Sequence, residues 1–398
     1  MRSIGWYSYI VTAKVEKLLA VSRMIIRNQI SYYPPVVMRF ERAFARAVGT
    51  KHAAVFSNGT SAIEAAVFAL GIGEGDEIIA PSYTIHSTFS AALALGAAVR
   101  FADIDLTTLT IDPPRIESLI GPRTKAIIVV HIWGNPTNMD QVLEIARRHN
   151  LKVIEDCSHA HGALWKGRPV GSLGDIGVFS LQGAKPVAAG EGGVAVTDSP
   201  LLLDRMLAYG HQGRRVSGTL ELAEPSAFFP VTGFGRKCRA HPLGIALAEI
   251  DLKWLRRRNA MLRVCWDALA QAVRGSRIVT MQTPSANASM AGYFLGGAVR
   301  ITSQKVAPDH VCKIFEESGV SVARGVQKPN HILPHLYDRA YRTAMLGEEA
   351  LPAAGAAPSL PHTEEAIRNV ILMPLEQFVH GKRRRALVRA LALLDKEA

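Results

Sequence analysis

The stretch Phe179-Ser180-Leu181-Gln182-Gly183-Ala184-Lys185-Pro186-Val187-Ala188-Ala189-Gly190-Glu191-Gly192-Gly193 ends one apolar run, carries a single lysine and closes on a glycine-rich turn. It reads as a strand, Gly177 to Leu181, a loop, and the start of a second strand, Gly193 to Thr197. Lys185 stands among small and apolar residues, with no acidic neighbour before Glu191. Burial disfavours the charged form of an amine, and a deprotonated amine can attack a carbonyl carbon or abstract a proton. The same residue types also describe a lysine that lays its stem on apolar surface and keeps its head in water.

Outward from this stretch, β-branched runs alternate with amphipathic stretches of helical length from about residue 50 to 200. That alternation is the sequence form of a sheet with crossover helices, so this part is α/β with a mainly parallel sheet. Further strands are expected at Ala53 to Ser57, Glu77 to Ala80, Ala98 to Ala102, Lys125 to His131 and Lys152 to Asp156. Helices are expected at Ser61 to Leu70 and Met139 to His149, and a long one from His241 to Val273. The polar, small-residue stretch Thr283 to Ala291 reads as a connector. The division placed there gives a large domain, 1–285, and a smaller α+β domain, 286–398. The latter holds an apolar run at Tyr293 to Ile301 and helices at Pro308 to Ser318 and Gly381 to Asp395.

At 398 residues, 48% hydrophobic and 20% charged, the chain has the composition of a soluble globular protein large enough for two cores. No apolar run reaches the roughly 18 residues a membrane span needs. Lys14, Glu16 and Lys17 interrupt the apolar stretch Gly5 to Val21 where a signal peptide would be continuous. Cys157, Cys238, Cys265 and Cys312 show no CxxC spacing and no clustered histidines, which points away from zinc and towards the reducing cytoplasm. The net charge of +12 is densest at Arg256-Arg257-Arg258 and Lys382-Arg383-Arg384-Arg385. Both runs fall in expected helices without interleaved aromatic residues, so they read as solvated faces, with neither nucleic acid nor a membrane as partner.

Two more segments carry candidate chemistry. Ser57-Asn58-Gly59-Thr60-Ser61 leaves a strand and opens a helix, where free N–H groups and hydroxyls can hold a phosphate. A glycine turn with an ordinary Ser or Thr cap fits the same residues. Val153-Ile154-Glu155-Asp156 is an apolar strand ending in two carboxylates, at the edge where open α/β sheets bind ligands. Asp156 also fits a helix cap or a surface acid. His159 follows three positions on, within reach of the same pocket.

Taken in order, several segments give the chain its likeness: Phe40 to Ala45, Ser57 to Ala62, Gly75 to Ser82, Phe101 to Asp105, His131 to Gly134, Glu155-Asp156, Lys185 to Gly193 and Leu372 to Pro374. In these the sequence resembles the DegT/DnrJ/StrS family of sugar and cyclitol aminotransferases, over nearly its whole length. The resemblance implies a type I, aspartate aminotransferase-like fold and pyridoxal 5'-phosphate (PLP) as cofactor, with pyridoxamine phosphate as its aminated form. It also implies that Lys185 bonds to the cofactor as a Schiff base and that Asp156 pairs with the pyridine nitrogen. His159 then lies near the phenolic oxygen, while Gly59, Thr60, Ser61 and Ser180 hold the phosphate. His331, in Pro329 to Pro334, matches a segment that approaches the substrate, although a structural histidine fits equally.

The chain departs from the family pattern at three places. Lys237, in Gly235-Arg236-Lys237-Cys238-Arg239, replaces an asparagine that in relatives reaches the cofactor from a neighbouring subunit. If it serves the phosphate as a point charge, each site is shared within a homodimer. Ile85 replaces an aromatic ring stacked on the cofactor, with Tyr83 and His86 as alternatives, and Gln182 replaces a histidine. The implied reaction moves an amino group from glutamate or glutamine to a keto sugar, keto cyclitol or related carbonyl compound. A dehydratase of the same fold carries histidine in place of the lysine, so Lys185 argues against it. Other PLP reactions, or a non-catalytic PLP-binding regulator, stay open on the residues alone.

Overall fold

The computed structural model describes residues 2–31, 33–211, 236–333, 357–379 and 381–397. Two helices come first, α1 (Arg2–Ile26) and α2 (Pro35–Val48). The spacing of Val36, Val37, Phe40, Phe44 and Val48 lays one apolar stripe of α2 on the core, and Gly49 stops the helix at φ 81°. The strands that follow are β1 (His52–Phe56), β2 (Glu77–Pro81), β3 (Ala98–Ala102), β4 (Thr124–Val130), β5 (Lys152–Asp156), the short β6 (Leu164–Trp165) and β7 (Arg168–Pro169), β8 (Ile176–Ser180) and β9 (Gly193–Thr197). Between them run α3 (Gly59–Ala69), α4 (Ser87–Ala94), α5 (Pro113–Glu117) and α6 (Met139–Arg148), and α7 (Pro200–Gly210) comes after β9.

Seven strands form one sheet in the order β1-β9-β8-β5-β4-β2-β3. All neighbours are parallel except β9, which runs against both β1 and β8. The sequence alternation locates each of these strands to within one residue. Helix α3 starts two residues before the expected Ser61, because Asn58, not a serine or threonine, caps it by accepting the Ser61 N–H. Apolar side chains alternate along the strands, so that Ala53 and Val55 face one core with α2 while Ala54 and Phe56 face another with α3 and α7. The sheet is therefore covered on both faces.

The long helix α8 (Pro242–Val273) runs from the first of these cores to a second sheet. That sheet comprises β10 (Val279–Met281), β12 (Gly297–Ile301), β13 (Ala323–Arg324) and β14 (Val370–Met373), in the antiparallel order β10-β12-β14-β13. Val279–Met281, before the expected connector, thus already belong to the small sheet by hydrogen bonding. Within the connector, β11 (Ala288–Ser289) pairs with β6 and ties it to the large part. Helices α9 (Pro308–Glu317), α10 (Pro361–Asn369) and α11 (Gly381–Leu394) complete the description. Val311, Phe315, Leu387 and Leu391 pack with Leu262 and Leu269 of α8. Among the described residues no helix is long and apolar enough to cross a membrane.

Candidate active site

The parallel strands of the large sheet deliver their C-terminal ends to one edge, and Ser57, Asp156 and Ser180 all stand at that edge. Asp156 closes β5 and is buried. Its Oδ2 accepts the Thr88 hydroxyl at 2.8 Å and its Oδ1 accepts the Ser158 N–H at 3.1 Å. Thr88 has one proton and gives it to the carboxylate, so the Thr84 hydroxyl, 2.8 Å away, must donate to Thr88. Two neutral donors thus fix the carboxylate and leave it acceptor capacity for a third.

Lys185 sits in the loop between β8 and β9, on a turn tied by its own N–H to the Gln182 carbonyl at 2.8 Å. The Gln182 side chain closes the same turn by accepting the Ala184 N–H at 2.8 Å, a role the sequence did not suggest for it. Lys185 Nζ lies 5.4 Å from the centre of the Tyr293 ring. Burial brings this amine down to about 8, against a smaller upward pull from Asp156. The two groups singled out for chemistry therefore act on each other electrostatically.

Beside them three rings lie nearly parallel. His159 stacks on Tyr293 at 4.3 Å and 14°, and on Trp133 at 4.9 Å and 18°. Trp133 adopts φ 55°, in a region that non-glycine residues rarely enter. Gly134 follows at φ 90°, where a Cβ would fall 2.9 Å from the Ala291 carbonyl oxygen. The bend lets the Trp133 N–H donate to His159 Nδ1 at 3.3 Å. Burial, then the charges of Lys185 and His161, hold the His159 imidazole well below its usual range. With Nδ1 accepting, the neutral ring carries its proton on Nε2 and is a donor there.

At the start of α3 the expected set of free N–H groups is smaller than the motif implied. Asn58 already takes the Ser61 N–H at 2.7 Å, leaving those of Gly59 and Thr60 to the helix end. A Cβ on Gly59 would fall 3.1 Å from that of Ser180, and one on Gly193 would fall 2.3 Å from the Asn58 carbonyl oxygen. Gly59, Thr60, Ser61 and Ser180 are thereby gathered around one turn. Cys238 accepts the Ser57 N–H at 2.6 Å, so the exposed Lys237 is carried on a segment anchored beside this turn. Gly235 lies outside the described residues.

The remaining candidates are placed differently. Ile85 is 60% exposed and His86 is exposed beside it, with the His86 ring edge-on to Phe89. Tyr83 is fully buried with Ile104, Leu109 and Trp133. His331 is also buried, its Nδ1 2.8 Å from the Ser82 hydroxyl, while the Asn330 side chain donates to the carbonyls of Ser82 at 2.9 Å and Thr84 at 2.7 Å. The pair clips the turn that leads to Thr88. Arg258 corrects the reading of its run as a solvated face. Unlike Arg256 and Arg257 it turns inward, donates to the Gly292 carbonyl at 2.9 Å, and is lowered by burial. Thr88, Trp133 and Tyr293 were given no role from sequence, where nothing in their local pattern sets them apart.

The sequence pattern of the DegT/DnrJ/EryC1/StrS aminotransferase family matches residues 12–389. The chain belongs to this family. A GDP-perosamine synthase from Caulobacter vibrioides is 36% identical over 303 residues, which are 75% of this chain and 78% of that protein. An L-glutamine:2-deoxy-scyllo-inosose aminotransferase from Streptomyces lividus is 30% identical over 372 residues, 90% of this chain and 85% of that protein. The fold matches that of NtdA from Bacillus subtilis, solved with bound pyridoxamine phosphate, at a TM-score of 0.78 and 22% identity over 97% of this chain and 82% of that one. As a DegT/DnrJ/EryC1/StrS member the chain is a PLP-dependent aminotransferase, taking an amino donor and a carbonyl acceptor. Its residues fit the cofactor: a helix N-terminus with hydroxyls suits a phosphate, a carboxylate with spare acceptor capacity suits a ring N–H, and a buried amine suits an aldehyde.

Proposed function

We propose that the chain moves an amino group from glutamate or glutamine to a keto sugar carried on a nucleotide or to a keto cyclitol, with Lys185 and Asp156 as its catalytic residues. Bound PLP supplies the reactive aldehyde and a ring that absorbs electrons from the donor's α-carbon. Lys185 holds the cofactor through Nζ and, once free, takes the proton from that α-carbon. Asp156 keeps the pyridine nitrogen protonated. His159 donates from Nε2 towards the phenolic oxygen, and Gly59, Thr60, Ser61 and Ser180 bind the phosphate. In this reading the exposed Ile85 and His86 contact the substrate, and His331 acts through the Ser82 turn it holds.

The observation that carries the reading is the buried Lys185 amine on the loop after β8, lowered to about 8 and close enough to the end of β5 to feel the Asp156 carboxylate. The named relatives, one making GDP-perosamine and one aminating 2-deoxy-scyllo-inosose, favour the acceptor classes. The division into domains at 1–285 and 286–398, the cytoplasmic location and a homodimer in which Lys237 serves the neighbouring site belong to the same proposal. Its test is the absorption spectrum of the purified protein. A visible band that glutamate or glutamine bleaches, and that Lys185→Ala lacks, is expected, followed by aminated product from a panel of nucleotide-linked keto sugars and keto cyclitols. Borohydride trapping at a residue other than Lys185, or no band after soaking in PLP, overturns it.

A further inference from the structure

We propose that Tyr293 is a positioning residue for Lys185: its ring face holds the ammonium form of the amine. This rests on the reading of Lys185 as the working amine. The geometry is specific. Nζ stands 5.4 Å from the ring centre, inside the roughly 6 Å over which an aromatic quadrupole attracts a cation. The ring is not free to turn away, because its other contacts fix it. It stacks on His159 at 4.3 Å, lies 6.2 Å from Trp133, and meets the Phe294 ring at 62°. Its chain neighbour Gly292 is held by Arg258 through the carbonyl, and a Cβ at Gly292 would fall 2.9 Å from the Asn259 Cα.

Other groups face the same amine. Asp156, at the end of β5, favours the cation, and burial opposes it. His159 and His161, on the segment after β5, are both held neutral by burial and by Lys185 itself. Arg258 from α8 acts on His161 and on Tyr293. The Tyr293 hydroxyl is raised to about 12 by burial, so the phenol stays neutral and offers the lysine no counter-charge. Asp156 attracts the ammonium from the sheet edge and Tyr293 from the segment just after the connector, and together they set where Nζ rests and how readily it keeps its proton.

The test compares Tyr293→Leu with Tyr293→Phe in the full chain. Two readouts are taken against pH: acetylation of Lys185 by trace acetic anhydride, quantified by peptide mass, and the visible band of the PLP-loaded protein. Leucine keeps the burial but removes the quadrupole, so the midpoint for acetylation should fall by about half to one pH unit. Phenylalanine keeps the ring face and should restore it. An unchanged midpoint in Tyr293→Leu, or an equal shift in Tyr293→Phe, overturns the proposal. Borohydride trapping tests separately whether Lys185 is the cofactor lysine, and its failure leaves the acetylation midpoints readable.

Discussion

Glu155 and Asp156 are neighbours at the end of β5, yet their side chains leave opposite faces of the sheet and meet different surroundings. Glu155 is fully buried and saturated: it accepts the N–H groups of Gly171 at 2.9 Å, Leu173 at 2.7 Å and Gly174 at 2.7 Å, and His131 Nε2 at 3.1 Å. Among the described residues Asp156 accepts only Thr88 and Ser158. A carboxylate whose lone pairs are all taken by its own chain holds that chain together. One left with capacity, at the edge where the strands end, is available to a ligand. The pairing of donors, more than charge or burial, separates structure from chemistry here.

The comparison breaks most visibly at Asp156. Asp156→Asn keeps the shape and removes the charge, and should lower turnover by about 10²- to 10⁴-fold while leaving the melting temperature nearly unchanged. A large loss of stability with normal turnover would reverse the roles assigned to the two carboxylates. Next in size, Glu155→Gln turns one acceptor oxygen into a donor facing buried N–H groups and should cost about 1 to 3 kcal/mol in denaturant unfolding. Burial alone would raise the Glu155 pKa, but the His131 hydrogen bond and the Gly171 and Gly174 N–H groups outweigh it, so the folded value lies below the ordinary one. Its stabilisation is thus complete above the unfolded carboxylate range and is lost as the pH falls through the folded value. The wild type should therefore lose more stability on acidification than Glu155→Gln, as unfolding at a series of pH values would show. The smallest effect is expected from Thr88→Val, which deletes one hydrogen bond to Asp156. About 1 kcal/mol, or roughly a fivefold fall in turnover, would sharpen the contrast. No change would mean that Ser158 alone orients the carboxylate.

Much of this was legible in the sequence because it is local. Short β-branched runs set between stretches of helical length located the strands, and the position of Asp156 at a strand end, with Lys185 between a strand and a glycine turn, needs no tertiary knowledge. What was not legible depends on contacts between distant segments. Tyr293 appeared only as the first residue of an apolar run, and it meets His159 because the connector pairs with β6 and its Ala291 N–H is held by the Gly134 carbonyl at 3.0 Å. Arg258 shares its composition with Arg256 and Arg257, and helical rotation alone turns it inward. Asn58 outcompeted Thr60 and Ser61 as the cap because its side chain stands where the Ser61 N–H points.

The reversed direction of β9 has a mechanical consequence for Lys185. Because β9 runs back along β8, the loop from 181 to 192 leaves and re-enters the sheet at the same edge, and Leu181 N–H reaches the Gly192 carbonyl at 2.8 Å while Ala189 N–H reaches the Leu181 carbonyl at 2.7 Å. The lysine is therefore carried on a short tether pinned at both ends before any small molecule arrives. Lengthening such a loop costs little in closure entropy, which grows only with the logarithm of length, but it would blur the position of the amine. A longer loop would consequently cost the amine its aim more than the fold its stability.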